Sequence, residues 1–484
     1  MSRRVIVIGL DSAPPELLFG RMLEQMPNLA GMVEGGVHGP LRSCDPPITV
    51  PAWQVMSTSA SPGRLGLYGF RHRRGYSYTE GWTPNSYSVR LPRIWDVLAR
   101  HDKRSCVVGV PPGYPPKPMN GWSVSCFLTP PNAEQYTYPA ELRGEIEELV
   151  GTYLFDVKFR VEDREILREQ LFEMTEKRFD VVHHLAATKP WDFFMMVEIG
   201  VDRLGHAFWK FFDPEHPQYE PGNPYESVAD EYYRLIDRRL GELLETLEDA
   251  VFLIVSDHGS KAMHGAFCIN EWLIERGYLK LKERPEGVVA LDKAAVDWSA
   301  TRAWGWGGYY ARIFLNVEGR EEQGVISGSR YEETREELAE ELRTITRPDG
   351  ERMRVEVFRP EEIYVAALGN PPDLMVYFDD LDWRSAGTVG HGGLYLSEND
   401  TGPDDSVHAM DGIFVLYDPA RRYAHSVEGA GILDVAPTVL ELMGVPAPGG
   451  MEGRPIELIS KEEPSHDRTV RNTAPSHQTS TRSI

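Results

Sequence analysis

The chain has 484 residues, of which 41% are hydrophobic and 10% aromatic. That is the composition of an ordinary folded protein rather than a disordered or fibrous one, and the length allows two or three domains or one large α/β fold. Lys plus Arg number 51 against 74 Asp plus Glu, a net charge of −23, which excludes a broad electrostatic grip on a nucleic-acid polymer or an anionic membrane.

From the N-terminus, Arg3 and Arg4 lead straight into the apolar run Val5–Leu10. The run is too short for a signal peptide and has no small-residue cleavage site, so a cytoplasmic location is the default expectation. No apolar run reaches the ~20 residues that a membrane span requires. Further short apolar runs follow at Cys106–Val110, Phe193–Val197, Val251–Val255, Leu374–Phe378 and Ile413–Tyr417. Runs of this kind are expected where helices cover both faces of a parallel sheet. Between them, Asp230–Leu247 and Tyr331–Ile345 carry apolar residues at helical spacing, and Gly431–Met443 reads as a third helix ended by Gly444. The predicted fold class is therefore α/β, with a mostly parallel central sheet flanked by helices. One catalytic domain is expected over residues 1–460, with insertions over the carboxyl edge of the sheet near 111–180 and 282–324. Residues 461–484, rich in Ser, Thr, Pro, Arg and His, are expected to form a flexible tail. Cys44, Cys106, Cys126 and Cys268 lack a Cys-x-x-Cys pairing, which argues against a zinc ribbon or a disulfide framework and for buried thiols.

In open α/β sheets, ligands collect at the carboxyl ends of the strands. Asp11 closes the first run, Asp257 and His258 follow the fourth, Asp202 and His206 come shortly after the third, and His408 precedes the last. Carboxylates and imidazoles together form a donor set for zinc and similar divalent ions. On a helix, the four-residue spacing of Asp202 and His206 would point both side chains the same way. Thr49, in Pro46-Pro47-Ile48-Thr49-Val50-Pro51-Ala52-Trp53, could be a hydroxyl fixed in an exposed bend by flanking prolines, or a cap where a rigid turn enters a helix.

Taken together, Gly9-Leu10-Asp11-Ser12-Ala13, Pro47-Ile48-Thr49-Val50-Pro51-Ala52-Trp53, Ser61-Pro62-Gly63, Val201-Asp202-Arg203-Leu204-Gly205-His206, Ser256-Asp257-His258-Gly259 and His408-Ala409-Met410-Asp411-Gly412 resemble the ordered motifs of the type I phosphodiesterase/nucleotide pyrophosphatase family. That family is a branch of the alkaline-phosphatase superfamily. Asp434-Val435-Ala436-Pro437-Thr438 and Gly453-Arg454 are similar to the end of its core, so the likeness runs from about residue 5 to 457. After Pro62-Gly63 the chain reads Arg64-Leu65-Gly66 where many relatives have His before the next Gly, a departure that bears on substrate contacts and not on metal binding.

The resemblance implies two divalent metal ions, zinc in most of the family and manganese in some relatives. One ion would be held by Asp202, His206 and His408, the other by Asp11, Thr49, Asp257 and His258. It further implies hydrolysis of phosphodiester or pyrophosphate bonds in nucleotide-like substrates through a phosphothreonine on Thr49. A threonine hydroxyl is a weak nucleophile at neutral pH, and coordination to a divalent ion activates it. The implied partner is a small phosphorylated substrate, without a nucleic-acid polymer or a membrane; oligomeric state stays open. Sulfatase chemistry does not fit, because Thr49 stands where a Cys or Ser would be needed. A phosphomonoesterase, a phosphonate hydrolase and a silent metal-binding protein are the alternatives. Phe70, Tyr68, Trp53, Trp304, Trp306, Tyr309 and Tyr310 are candidates either for stacking on a substrate or for core packing.

Overall fold

The computed structural model describes residues 3–423 and 425–458, so the expected tail at 461–484 lies outside the described residues. A nine-stranded sheet runs through the molecule in the order His425–Ser426, Val37–Arg42, Asp411–Tyr417, Ala250–Val255, Arg4–Leu10, Phe193–Glu198, Ser105–Val108, Gly121–Val124 and Thr137–Tyr138. Its middle is parallel: Val7 pairs with Met195 on one side and with Leu253 on the other. Arg4–Leu10 is wholly apolar after its first residue and needs cover on both sides. Ile6, Ile8 and Leu10 pack against the helices Pro27–Gly35, Arg164–Thr188, Gly200–Phe212 and Val228–Thr246, while Val5 and Val7 pack against Thr49–Thr58, Ile94–Ala99 and Val435–Leu442.

Two expectations about the strands need correction. Asp411–Tyr417 belongs to the main sheet but runs antiparallel to Ala250–Val255 and to Val37–Arg42. Leu374–Phe378 lies elsewhere, in a second, mostly antiparallel seven-stranded sheet with Ala303–Trp306, Ala311–Leu315, Val355–Phe358, Trp383–Ala386, Gly265–Cys268 and Tyr395–Leu396. An apolar run reports burial on both faces, and a central strand under a helix such as Tyr331–Leu342 satisfies that in either orientation. The expected helices appear as Val228–Thr246 and Tyr331–Leu342, and as a short 3-10 turn followed by Val435–Leu442. Residues 282–324 supply two strands of the second sheet.

A two-stranded ribbon, Gly259–Ala262 with Ser406–Ala409, leads from the end of the main sheet and sets His408 opposite Ser260. Cys106, Cys126 and Cys268 are buried and Cys44 is part-exposed; all four are free thiols. Among the described residues, no helix is long and apolar enough to cross a membrane.

Candidate metal centre and active site

Asp11 follows the central strand and is fully buried. Its Oδ2 accepts a 2.7 Å hydrogen bond from Trp53 Nε1. The indole crosses directly over Gly9, where a Cβ atom would stand 2.2 Å from Trp53 Cη2. Glycine is thus required for the helix Thr49–Thr58 to approach the strand this closely. The next residue, Ser12, holds a left-handed backbone at φ 65°. Ser260 Oγ pins that turn by donating to Ser12 O at 2.7 Å, which keeps Asp11 pointing out of the sheet.

Thr49 is the first residue of its helix, with Ile48 extended at the N-cap. A rigid turn does enter a helix here, but the cap position is Ile48 and not Thr49, and the Thr49 hydroxyl makes no cap bond: its Oγ1 lies 3.3 Å from His258 Nε2. The first N–H groups of a helix have no carbonyl partner within it, and the aligned peptide dipoles make this end electropositive. Pro51 fits here because an N–H at the third position would have been one of those orphans.

Asp202 and His206 project from the same face of the helix Gly200–Phe212, with Asp202 Oδ1 3.2 Å from His206 Nε2. His408 Nε2 is 3.6 Å from the same oxygen. On the other side, His258 Nε2 stands 3.3 Å from Asp257 Oδ2 and 3.7 Å from Asp11 Oδ1. Two groups of donor atoms therefore lie within 4.8 Å of one another: Asp202, His206 and His408, and Asp11, Asp202 and His258. Asp202 is common to both, whereas the sequence resemblance assigns it to one ion only.

The electrostatics are those of a cluster built around positive charge. Burial, with repulsion from neighbouring carboxylates, raises Asp11 and Asp257 well above the usual carboxylate range. Burial would do the same to Asp202, but His206, Arg203 and His408 outweigh it and hold Asp202 well below that range. Burial also drives His408 far down and His258 to about 4, so both imidazoles are neutral at pH 7. His206 goes the other way: burial opposes its charge, yet Asp404 and Asp202 raise it well above its ordinary value. Asp11 Oδ1, Asp202 Oδ1, Asp257 Oδ2 and His408 Nε2 are buried without a hydrogen-bond partner. Orphaned buried acceptors of this kind are costly unless a cation joins them. The donor set therefore fits divalent ions.

The imidazoles are oriented as metal ligands are. His408 Nδ1–H donates to Pro47 O at 2.7 Å and His258 Nδ1–H to Gly259 O at 3.0 Å. A carbonyl only accepts, so both rings carry the proton on Nδ1 and turn the Nε2 lone pair into the cluster. His206 Nδ1–H donates to Asp404 Oδ1 at 2.7 Å, and Arg384 and Arg160 grip the other oxygen of Asp404 at 2.7 and 2.8 Å.

All seven residues singled out in the sequence, Asp11, Thr49, Asp202, His206, Asp257, His258 and His408, thus meet in one cluster. Sequence reasoning missed their supports: Asp404 behind His206, Arg203 bonded to Asp202 Oδ2 at 2.6 Å, and Trp53 as a donor to Asp11. A carboxylate partner for a ligand histidine can be looked for in a sequence, and Asp404 lies just ahead of His408, but nothing in its local pattern marks it out. Of the aromatic candidates, Trp53, Tyr68, Trp304 and Tyr310 are core residues. Tyr309 stacks on His408, half-buried Phe70 lies beside Tyr309, and half-buried Phe127 lies edge-on to Phe70. In the Arg64-Leu65-Gly66 stretch, where the chain departs from its relatives, Arg64 pairs with Glu452 at 3.1 Å.

A mostly parallel sheet flanked by helices, with an Asp/His cluster and a hydroxyl at its carboxyl edge, is the arrangement of an alkaline-phosphatase-like fold. The family described as type I phosphodiesterase / nucleotide pyrophosphatase matches residues 5–404, and the chain belongs to it. It is accordingly a hydrolase of the phosphodiesterase/pyrophosphatase kind. Its fold is similar to that of human ectonucleotide pyrophosphatase/phosphodiesterase 5, with a TM-score of 0.54, 14% identity, and coverage of 92% of this chain and 96% of that one. An inactive form of the murine protein in complex with AMP gives a TM-score of 0.53 at the same identity and coverage. Among curated protein sequences, none matches.

Proposed function

We propose that this enzyme uses two divalent metal ions and Thr49 to hydrolyse phosphodiester or pyrophosphate bonds in small nucleotide-like substrates. The observation that carries the reading is that Nε2 of His258 and of His408, each ring fixed by a carbonyl behind it, belong to two adjoining donor groups among buried carboxylate oxygens of Asp11, Asp202 and Asp257 that have no hydrogen-bond partner. His206, His408 and Asp202 would hold one ion, and Asp11, Asp257, His258 and Thr49 the other, with Asp202 close enough to contribute to both. Two bound ions would neutralise charge on the phosphoryl oxygens and favour the ionised hydroxyl. The mixed Asp and His donors suit zinc, with manganese the alternative.

Thr49 Oγ1 then attacks phosphorus at the electropositive helix end, forming an O–P bond as the bond to the leaving oxygen breaks. The hydroxyl proton leaves to solvent. Water attacks the resulting phosphothreonine and restores the free hydroxyl. Burial of Thr49 and its neighbours keeps bulk water from competing in the first step. Phe70, Phe127 and Phe159, each half-buried beside the cluster, offer flat apolar surface to a base or other aromatic leaving group. The AMP complex of the murine structural neighbour supports a nucleotide-like substrate.

The test compares wild type with Thr49→Ala on bis(p-nitrophenyl) phosphate, p-nitrophenyl phosphate and a nucleotide-sugar panel, with metal content measured alongside. Thr49→Ala should lose about 10⁴-fold or more in kcat, in line with removal of a nucleophile elsewhere, and retain its metal. Full activity in that variant would remove the nucleophile assignment, and preference for the monoester would overturn the diesterase reading.

A further inference from the structure

Where the helix Thr49–Thr58 meets the strands Ser105–Val108 and Gly121–Val124, a cavity of about 60 Å³ is lined by Gln54, Arg93, Asp96, Lys117, Ser123 and Trp95 among others. Arg93 is 7% exposed. Each of the other six buried arginines among the described residues has a carboxylate oxygen within 3.9 Å of its guanidinium, and Arg93 has none so near. A buried charge without a counter-ion is costly.

Neutral groups hold the guanidinium in place. Its Nε donates to Gln54 Oε1 at 3.0 Å and its Nη2 to Ser86 O at 2.9 Å. Gln54 is itself fixed, since its Nε2 donates to Pro111 O at 2.6 Å. Arg93 Nη1 is left with no hydrogen-bond partner among the described residues. Lys117 brings a second positive charge to the same cavity and likewise pairs with no carboxylate among the described residues; its Nζ lies 5.0 Å from the centre of the Tyr87 ring. Asp96 is the only carboxylate among the lining residues, and its Oδ2 already accepts from the backbone N–H of Arg93 at 3.0 Å. Burial lowers the pKa of Arg93, and burial with the charge of Arg93 lowers that of Lys117, Asp96 offsetting only part of each. A water takes about 10–15 Å³ of such space, so roughly four to six would fit, about the bulk of a sulfate or phosphate ion.

We propose that this cavity binds a small tetrahedral oxyanion of the phosphate or sulfate kind, held by Arg93 Nη1 and Lys117 Nζ with the Ser123 hydroxyl beside them. Arginine and lysine bonds to an oxyanion are charge-assisted and about twice as strong as neutral ones. None of the lining residues belongs to the Asp and His cluster, so the site is distinct from the metal centre. Its test is calorimetric titration of the full-length, metal-loaded protein with sulfate and then with inorganic phosphate, at an ionic strength held constant with potassium chloride. Wild type, Lys117→Gln and Arg93→Gln are compared. Wild type should bind one sulfate about tenfold or more tightly than either variant does, and phosphate should show the same loss at one of its sites. An anion held only at the metal centre would bind wild type and Lys117→Gln equally, and that result would overturn the proposal. Failure of wild type to bind sulfate would overturn it as well. Lys117 is part-exposed, so Lys117→Gln decides the matter alone should Arg93→Gln not fold.

Discussion

Glu198 ends the strand beside the centre and should be felt there and in stability when its charge is removed. Its Oε1 accepts from Arg178 Nη1 at 2.8 Å and from the N–H of Gly200 at 2.7 Å. Gly200 begins the helix that carries Asp202 and His206. The side chains of the pair are 3% and 0% exposed, so Glu198→Gln leaves a guanidinium in the interior beside the carbonyls of Leu154 and Phe155 and the Tyr153 hydroxyl, with no carboxylate to pair it. Breaking a buried pair from one side costs about 3–5 kcal/mol. The Gln carbonyl can still accept from Gly200, which places the expected loss near the lower figure. Urea unfolding followed by tryptophan fluorescence should show the midpoint fall with the slope unchanged. Arg178→Met added to Glu198→Gln should recover most of the loss, because the uncompensated guanidinium is then gone from the interior as well. An unchanged midpoint in Glu198→Gln, or a double variant as unstable as the sum of the singles, would refute the reasoning.

Asp405 offers a pH test. Burial raises its pKa to about 7 against the lowering effect of Lys210 and Arg164. A raised carboxyl pKa contributes stability that is full below the unfolded value near 3.8 and is lost as pH rises through about 7. Wild type should therefore lose about 1.4 kcal/mol per pH unit through this residue between pH 5 and 7; Asp405→Asn should flatten that slope, and an identical slope in both proteins would count against it. Chelation should lower the thermal midpoint and zinc should restore it, each ion contributing about 2.7 kcal/mol at a hundredfold excess over its Kd. Because Asp11 and Asp257 must lose protons to bind a cation, zinc affinity measured between pH 6 and 8 should rise with pH. A chelator without effect on the midpoint would argue that the cluster is held together by protons alone.

Much of the centre was legible because its residues sit at strand ends and in short, ordered motifs. Asp11 is visible as the polar stop to Val5–Leu10, and Asp202 with His206 as a helical pair. What stayed hidden depends on long-range packing. Nothing near Leu374–Phe378 says that it pairs with Ala311–Leu315 instead of joining the parallel sheet, since burial imposes the same apolar run in both settings. Trp53 was open to stacking on a substrate or to core packing, and only the close crossing over Gly9 shows that it is a donor to Asp11. Asp404 has no periodicity to announce it; its role is set by Arg160, Arg384 and His206, which come from three separate parts of the chain.

The ribbon of Gly259–Ala262 with Ser406–Ala409 has a consequence for biosynthesis. Asp11 leaves the ribosome long before His408 and the strand that seats it. Until then Asp11, Asp257 and Asp202 have an incomplete set of partners, and their mutual repulsion disfavours closing the cleft. Pairings this distant in sequence form slowly. The cluster is therefore completed late: a chain that stops before Ser406–Ala409 carries Asp11, Asp202, His206, Asp257 and His258 but lacks the strand that seats His408 beside them.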